Sequence, residues 1–149
     1  MGKLYTVSAC ILALLEFGDF LNLSFFGGHI ADPKNTLTAY DDLSPELKDT
    51  LFMMSCWVGL AKLYYGFFCI GTALSSEPKV RIVGAAGACF TSYVSFTTLI
   101  PAFAKLVDMG TLNIDVTGML KAPLGVIGTL FGFAAYLEYK EMKEKAKKE

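Results

Sequence analysis

The chain has 149 residues, of which 54% are hydrophobic and 18% charged, with a net charge of −1 and a mean hydropathy of +0.48. Soluble domains carry about 25% charged residues, so these values exclude an ordinary soluble domain and a disordered chain. The balanced charge also excludes the broad basic face of a nucleic-acid-binding module, so no nucleic acid is expected as a partner. The composition predicts a membrane protein whose length allows a single domain.

Four apolar stretches are long enough to cross a bilayer, because a span needs about 20 residues to cover about 30 Å of hydrocarbon. These stretches are residues 4–26, 51–74, 80–107 and 119–139. An open strand leaves its backbone polar groups unsatisfied in lipid, so each stretch is predicted to be a helix. The sequence therefore predicts an all-α fold, a four-transmembrane-helix antiparallel bundle that makes residues 1–149 a single membrane domain. A soluble bundle of four buried helices is the alternative.

The connections between the spans differ in length and charge. The loop over residues 30–50 is the longest and is acidic, and within it Ser44 is predicted to N-cap a helix whose first residue is Pro45. Residues 75–79 make a tight turn between the second and third spans. The tail over residues 138–149 alternates Glu and Lys, which predicts a helical extension of the fourth span, either as a solvated cap or as a docking surface.

Lysine and arginine are distributed unevenly across the predicted membrane. The side that holds both termini and the 75–81 loop carries eight of them, whereas the other side carries four, which are Lys34, Lys48, Lys105 and Lys121. Because cytoplasmic loops of membrane proteins are enriched in Lys and Arg, both termini are predicted to lie on the cytosolic, matrix or stromal side. The long acidic loop is then predicted to face the opposite side.

Three of the spans carry small residues at alternating spacings of four and three, the period of a left-handed helical bundle. Because lipid gives no hydrophobic drive for helix association, such residues are predicted to mark the helix contacts. The predicted rows are Ser55, Gly59, Gly66, Cys69 and Ala73 in the second span, Gly84, Ala88, Thr91, Ser95, Thr98 and Ala102 in the third, and Gly118, Ala122, Gly125, Thr129 and Gly132 in the fourth. Gly128 and Gly132 also form a GxxxG motif. Simple packing is one interpretation of these rows, and a groove for a lipid or cofactor is the other.

Glu16, Asp19 and Lys62 are the residues least expected inside a membrane, since charge at the bilayer centre costs about 2.5 kcal/mol or more. Glu16 lies twelve residues from Leu4, and Lys62 lies twelve residues from Leu74. At 1.5 Å per residue both are roughly 18 Å deep from the same side, which predicts a buried cluster of the three side chains. With two carboxylates and one ammonium, either one carboxyl is protonated or a partner supplies a cation. The cluster is interpreted as a device that fixes helix register, as a proton relay or substrate site, or as a contact with a partner subunit.

Other residues that could carry chemistry are few. His29, at the end of the first span, is a candidate ligand for haem or chlorophyll because imidazole commonly binds metals. A solvated histidine at the membrane boundary is the simpler interpretation. The four cysteines lie inside spans without a C-x-x-C pair, which favours packing over a disulfide or a zinc site. No metal and no further cofactor are predicted beyond a bound lipid, and the sequence carries no catalytic constellation, so it predicts a protein that is not an enzyme.

The layout of the chain also bears on function. Its length, its long first and short second loops, and Tyr136-Leu137-Glu138 before a Lys-rich tail resemble the small four-span scaffold family of ergosterol biosynthesis. This resemblance implies a non-catalytic scaffold for lipid-biosynthesis enzymes in the ER membrane.

The second span presents a bulky face opposite its row of small residues, and this face is predicted to meet lipid or another protein. It consists of Phe52, Trp57, Leu60, Tyr64, Phe67 and Phe68. The sequence therefore predicts an accessory subunit or scaffold of a larger membrane complex, with other membrane subunits and the lipid bilayer as partners. Respiratory and photosynthetic complexes, in the mitochondrial inner or thylakoid membrane, are the leading candidates. The alternative is a small proton-coupled transporter or channel that uses Glu16, Asp19 and Lys62.

Overall fold

The computed structural model describes residues 3–26, 32–112 and 116–148, and for residues 116–120 the backbone alone. The α-helices are α1 (Lys3–Leu21), α2 (Pro33–Thr36), α3 (Pro45–Ala73), α4 (Pro78–Asp108) and α5 (Val116–Ala146). A π-helical turn, Asn22–Phe26, continues α1, and a 3-10 turn, Tyr40–Asp42, precedes α3. The described ranges contain no strand, only an isolated bridge between Leu37 and Leu112. The all-α prediction is therefore confirmed for these ranges.

Three helical segments are long and apolar enough to cross a membrane, namely Lys3–Phe26, Pro45–Ala73 and Pro78–Asp108. Helix α5 has 31 residues, as many as α4, but its C-terminal third is rich in Glu and Lys. The described part of α5 is not among the three candidate spans. The structure thus supports a helical membrane protein, whereas the bundle of four transmembrane helices stays a prediction.

Local sequence signals determine where the long helices begin. The Ser44 side chain accepts a hydrogen bond from the backbone N–H of Leu47 at 3.3 Å, and Pro45 is the first residue of α3, so the predicted cap is confirmed. Pro78 opens α4 in the same way, because its fixed φ suits the first helical turn and it has no N–H to leave unpaired.

The long helices pack mainly as two antiparallel pairs, α1 against α3 and α4 against α5. The largest buried cluster lies at the end of the molecule that holds the α3–α4 turn. Its members are Tyr5, Ala9, Leu12, Cys69, Ala73, Ala85, Ala88, Phe131 and Ala134. The rings of Tyr5 and Phe131 meet edge to face, with centroids 5.8 Å apart, and join α1 to α5. At the opposite end, the Thr38 hydroxyl donates to the carbonyl of Gly110 at 2.8 Å and ties the long loop to the end of α4.

The rows of small residues fall on helix contacts to different extents. In α3 all members of the predicted row, which are Ser55, Gly59, Gly66, Cys69 and Ala73, are buried. In α4 the row is buried only at its start, at Gly84 and Ala88, and the buried face then continues through Ser92 and Ile100. The members further along α4, Thr91, Thr98 and Ala102, are exposed.

The predicted row of α5 requires a correction. Gly125 is exposed, and a Cβ placed on it would meet nothing within 4 Å, so Gly125 packs against no described helix. The helix meets α4 through the predicted GxxxG motif, whose Gly132 also belongs to the row: a Cβ on Gly128 would lie 3.3 Å from Ser92 Cβ, and one on Gly132 would lie 3.2 Å from Cys89 Sγ. The side chain of Gly118, the first member of the row, lies outside the described residues. The contact face of α5 therefore includes Gly132 of the predicted row but not Gly125.

Candidate functional site in the membrane-spanning helices

The structure brings Glu16, Asp19 and Lys62 together where α1 crosses α3. Lys62 Nζ donates to Glu16 Oε2 at 3.1 Å and to Asp19 Oδ2 at 2.6 Å. The two carboxylates lie three residues apart on α1, so both project toward the same part of α3. We refer to these three residues as the charge cluster.

Two glycines of α3 allow the helices to approach closely enough for this contact. Gly59 and Gly66 lie about one turn before and one turn after Lys62 on the same face. A Cβ on Gly66 would lie 3.1 Å from Ala13 Cα, and one on Gly59 would lie 3.5 Å from Phe20 Cα, so α3 meets the backbone of α1 at both points. The long lysine side chain occupies the space between the two glycine contacts.

The charge cluster is not sealed inside the chain. The side chains of Lys62 and Asp19 are 32% and 31% exposed, whereas that of Glu16 is 14% exposed. Both helices that carry the cluster are candidate membrane spans, and hydrocarbon does not solvate an ion pair. Hydrocarbon against the exposed edge of the cluster, formed by Asp19 and Lys62, would therefore give these two charges no solvation.

Hydroxyl groups extend from the charge cluster toward α4. Tyr65, three residues after Lys62 on α3, donates from its hydroxyl to the carbonyl of Ala88 at 3.3 Å. Ser92, one turn further along α4, is buried. Chemically, the cluster and these hydroxyls can hold and exchange protons or bind a cationic group. The described residues contain no group of three His, Cys, Asp or Glu side chains that would hold a metal ion.

The helix that carries the two carboxylates changes character just beyond them. Residues Asn22–Phe26 form a π-helical turn, a conformation that occurs frequently near functional sites. Within that turn the Ser24 hydroxyl is buried against Gly59, and in the described structure it has no hydrogen-bond partner.

A second intramolecular ion pair joins α4 to α5, and the sequence did not reveal it. Arg81 Nε donates to Glu138 Oε2 at 3.0 Å, and the Glu138 side chain is only 2% exposed. Arg81 Nη1 also donates to the carbonyls of Ser75 and Ser76, at 2.7 Å and 3.1 Å, so the same guanidinium closes the end of α3. Arg81 and Glu138 each lie next to other charged residues in the sequence, so each is expected from the sequence to be an exposed surface residue. A buried position for Glu138 could have been found from its spacing of seven from Phe131 on the apolar face of α5.

Other candidate residues are placed as follows. His29 lies outside the described residues, so the candidate haem or chlorophyll ligand is a prediction only. Cys69 is buried, Cys56 and Cys89 are half-buried, Cys10 is exposed, and all four thiols are free. In the C-terminal tail Lys145 Nζ lies 3.3 Å from Glu141 Oε1, and this hydrogen bond lowers the pKa of the Glu141 carboxyl.

A shallow groove of about 250 Å³ separates α1 from α5. Its lining is apolar except for Ser8, with Leu12 and Leu15 on α1 and Pro123 and Leu130 on α5 among the other side chains. Such a surface suits hydrocarbon, and it offers no set of polar groups that would orient a polar substrate.

The chain matches no protein-family model, no curated protein and no solved structure. Its likeness in layout to the ergosterol-biosynthesis scaffold family therefore stays a prediction, and the function has to be argued from the chain's own residues.

Proposed function

We propose that the protein is a non-catalytic integral membrane protein that serves as an accessory subunit or scaffold of a larger membrane complex. The observation that supports this most directly is the exposed edge of the charge cluster. Asp19 and Lys62 form a 2.6 Å contact within candidate spans, yet about a third of each side chain is exposed on the isolated chain. A neighbouring protein that covers this edge would remove it from lipid at little cost, because a polar helix surface can hydrogen-bond to it.

The outer face of α3, opposite the face that carries Gly59, Lys62 and Gly66, supplies a second exposed surface. Phe52, Trp57, Tyr64, Phe67 and Phe68 are all exposed. Aromatic side chains are enriched at protein interfaces because they bury a large area with few rotatable bonds. We propose that the cluster edge and this aromatic face each contact a neighbouring membrane subunit.

We further propose that α5 is the fourth span. It packs along α4 from Gly128 to Glu138, and α4 is itself a candidate span, so α5 would lie in the same layer. An even number of spans places both termini on one side, and the excess of Lys and Arg there favours the cytosolic, matrix or stromal side. The mitochondrial inner and thylakoid membranes are the proposed locations, with the ER membrane as the alternative.

Purification of the full chain through a C-terminal tag in mild detergent, followed by mass spectrometry, tests the proposal. The expected result is a stoichiometric membrane partner that is lost when Asp19→Asn and Lys62→Met are combined. The matched control is Glu141→Gln with Lys145→Met, which removes an ion pair from the exposed tail and should retain the partner. Circular dichroism on both variants checks folding. A lone 16.2 kDa species from the unmodified chain would contradict the proposal.

A proton-coupled transporter or channel is the second candidate, and the inward position of Glu16 favours it. Glu16 is the least exposed member of the charge cluster, and the Tyr65 and Ser92 hydroxyls lie on the side toward α4, as a proton path would require. The expected result in proteoliposomes is a proton or solute flux that Glu16→Gln abolishes while the helical content is unchanged. The control is Glu141→Gln in the tail. Reconstituted protein without flux would exclude this function.

A further inference from the structure

The two faces of the last part of α5 differ sharply in burial. Phe131, Ala134 and Glu138 face the bundle and are buried. On the opposite side, a second series follows the same spacing of three and four residues: Phe133, Tyr136, Lys140, Lys143 and Lys147. All five are exposed. The series changes from aromatic to basic after Tyr136; its first four members lie on one face of α5, and Lys147 follows one residue beyond the end of that helix. We call Lys140, Lys143 and Lys147 the basic stripe.

The aromatic residues indicate where the membrane boundary lies. Tyr136 and Tyr139 are exposed next to the start of the basic stripe, and tyrosines concentrate at the headgroup level of a bilayer. Lys140 follows Tyr139 directly, and Lys143 Nζ lies 4.8 Å from the centroid of the Tyr139 ring. With a rise of 1.5 Å per residue, Lys140 and Lys143 lie within about 6 Å of this boundary along the helix.

The positive charge at this end of the molecule extends beyond α5. Among the described residues outside the Arg81–Glu138 pair, seven lysines and three glutamates lie on this side, a net charge of +4. The lysines are Lys3, Lys79, Lys140, Lys143, Lys145, Lys147 and Lys148. Among the described residues, the opposite side carries four lysines against six acidic residues. Only the first side therefore presents an excess of positive charge near the bilayer surface.

We propose that the basic stripe binds the headgroups of anionic phospholipids in the leaflet from which α5 emerges. The stripe continues the face of α5 that turns away from the other helices, so the surface beside it is lipid rather than protein. Each lysine near an anionic membrane surface contributes about 1 kcal/mol of attraction, which decays within a Debye length of about 10 Å. The buried Arg81–Glu138 pair, immediately before the stripe, fixes the rotation of α5 so that the lysines face outward. The inference takes α5 as a span, which labelling of engineered cysteines tests separately.

The test is lipid competition on the full chain in nanodiscs that contain equal amounts of phosphatidylglycerol and phosphatidylcholine. Native mass spectrometry counts the lipids that the released protein retains. The unmodified chain is expected to favour phosphatidylglycerol, and this preference should fall about five-fold for each lysine replaced by Gln in the basic stripe. The matched control replaces Lys34, Lys105 and Lys121, which are exposed lysines on the opposite side, and should leave the preference unchanged.

Ionic strength gives a second readout that needs no variant. Raising the salt to 1 M shortens the Debye length to about 3 Å, so the preference of the unmodified chain for phosphatidylglycerol should largely disappear. An unchanged preference in the Gln variant, an equal loss in the opposite-side control, or a preference insensitive to salt would each overturn the proposal. Loss of an acidic partner protein from the Gln variant, with its lipid preference intact, would assign the stripe to protein binding instead.

Discussion

At the scale of single residues, Lys62 holds two carboxylates of α1 in one place within the candidate spans. Lys62→Leu leaves Glu16 and Asp19 without their shared cation, and we expect a loss of about 2 kcal/mol in the free energy of unfolding. This is below the 3–5 kcal/mol of a fully buried pair because water that enters the micelle can reach the exposed edge of the cluster. Lys62→Leu combined with Glu16→Leu should lose less than Lys62→Leu alone. Unfolding in mixed micelles measures the free energy of unfolding of the unmodified chain, the two single variants and the double variant. Strictly additive losses in this double-mutant cycle would contradict a coupled cluster.

Two glycines offer a matched pair of single substitutions. A Cβ on Gly84 would collide with the Tyr5 and Thr72 hydroxyl groups where α1, α3 and α4 meet, whereas a Cβ on Gly125 would meet nothing within 4 Å. Gly84→Ala is expected to destabilise by about 1–3 kcal/mol, the usual range for overpacking. Gly125→Ala is expected to be neutral, or stabilising by up to about 1 kcal/mol in helix propensity. Thermal unfolding of both variants in one detergent makes the comparison, and equal midpoints would show that the two positions are packed alike.

At the scale of helices, the Arg81–Glu138 pair joins α5 to both α4 and the end of α3. Arg81→Met would leave Glu138 buried without its counter-ion, at an expected cost of about 3–5 kcal/mol. Replacing both residues by Met removes the buried charge as well, so the double variant should be more stable than Arg81→Met. Hydrogen exchange near Ser75 and Ser76 should increase in both variants, because the guanidinium no longer binds those carbonyls. A double variant less stable than Arg81→Met would contradict this account.

The helices also show how far sequence reasoning reaches. Helical character and the start of α3 follow from local signals, since apolar length and an N-cap act within a few residues. The contact between Glu16 and Lys62 was predictable for two reasons. A charged residue inside a span usually faces another helix, and the two residues lie at equal predicted depths in the bilayer. The contact face of α5 was not predictable in the same way: small residues lie on two of its faces, and only the choice of neighbour decides which is buried. The Arg81–Glu138 pair joins positions 57 residues apart, and no local pattern marks that pairing.

At the scale of the whole molecule, the number of spans determines on which side the C-terminal tail lies. Four spans place the 75–79 turn and the tail on one side and the 30–50 loop on the other. If α5 did not cross, the tail would share a side with the 30–50 loop. Packing favours the first arrangement, because α5 contacts α4 at two separate points along its length, Gly128 and Glu138. A helix that packs along a membrane-spanning neighbour in this way could lie outside the bilayer only if it separated from that neighbour.

Labelling of engineered cysteines in proteoliposomes distinguishes the two topologies. Asp41→Cys, Ser76→Cys and Lys145→Cys each place a thiol at an exposed position, in the long loop, the α3–α4 turn and the tail respectively. A membrane-impermeant maleimide should modify the Ser76 and Lys145 variants from one side and the Asp41 variant only from the other. The native thiols lie within helices, so the unmodified chain serves as the background control. Modification of the Lys145 variant from the same side as the Asp41 variant would establish three spans. The basic stripe would then lie on the opposite side of the membrane from Lys79.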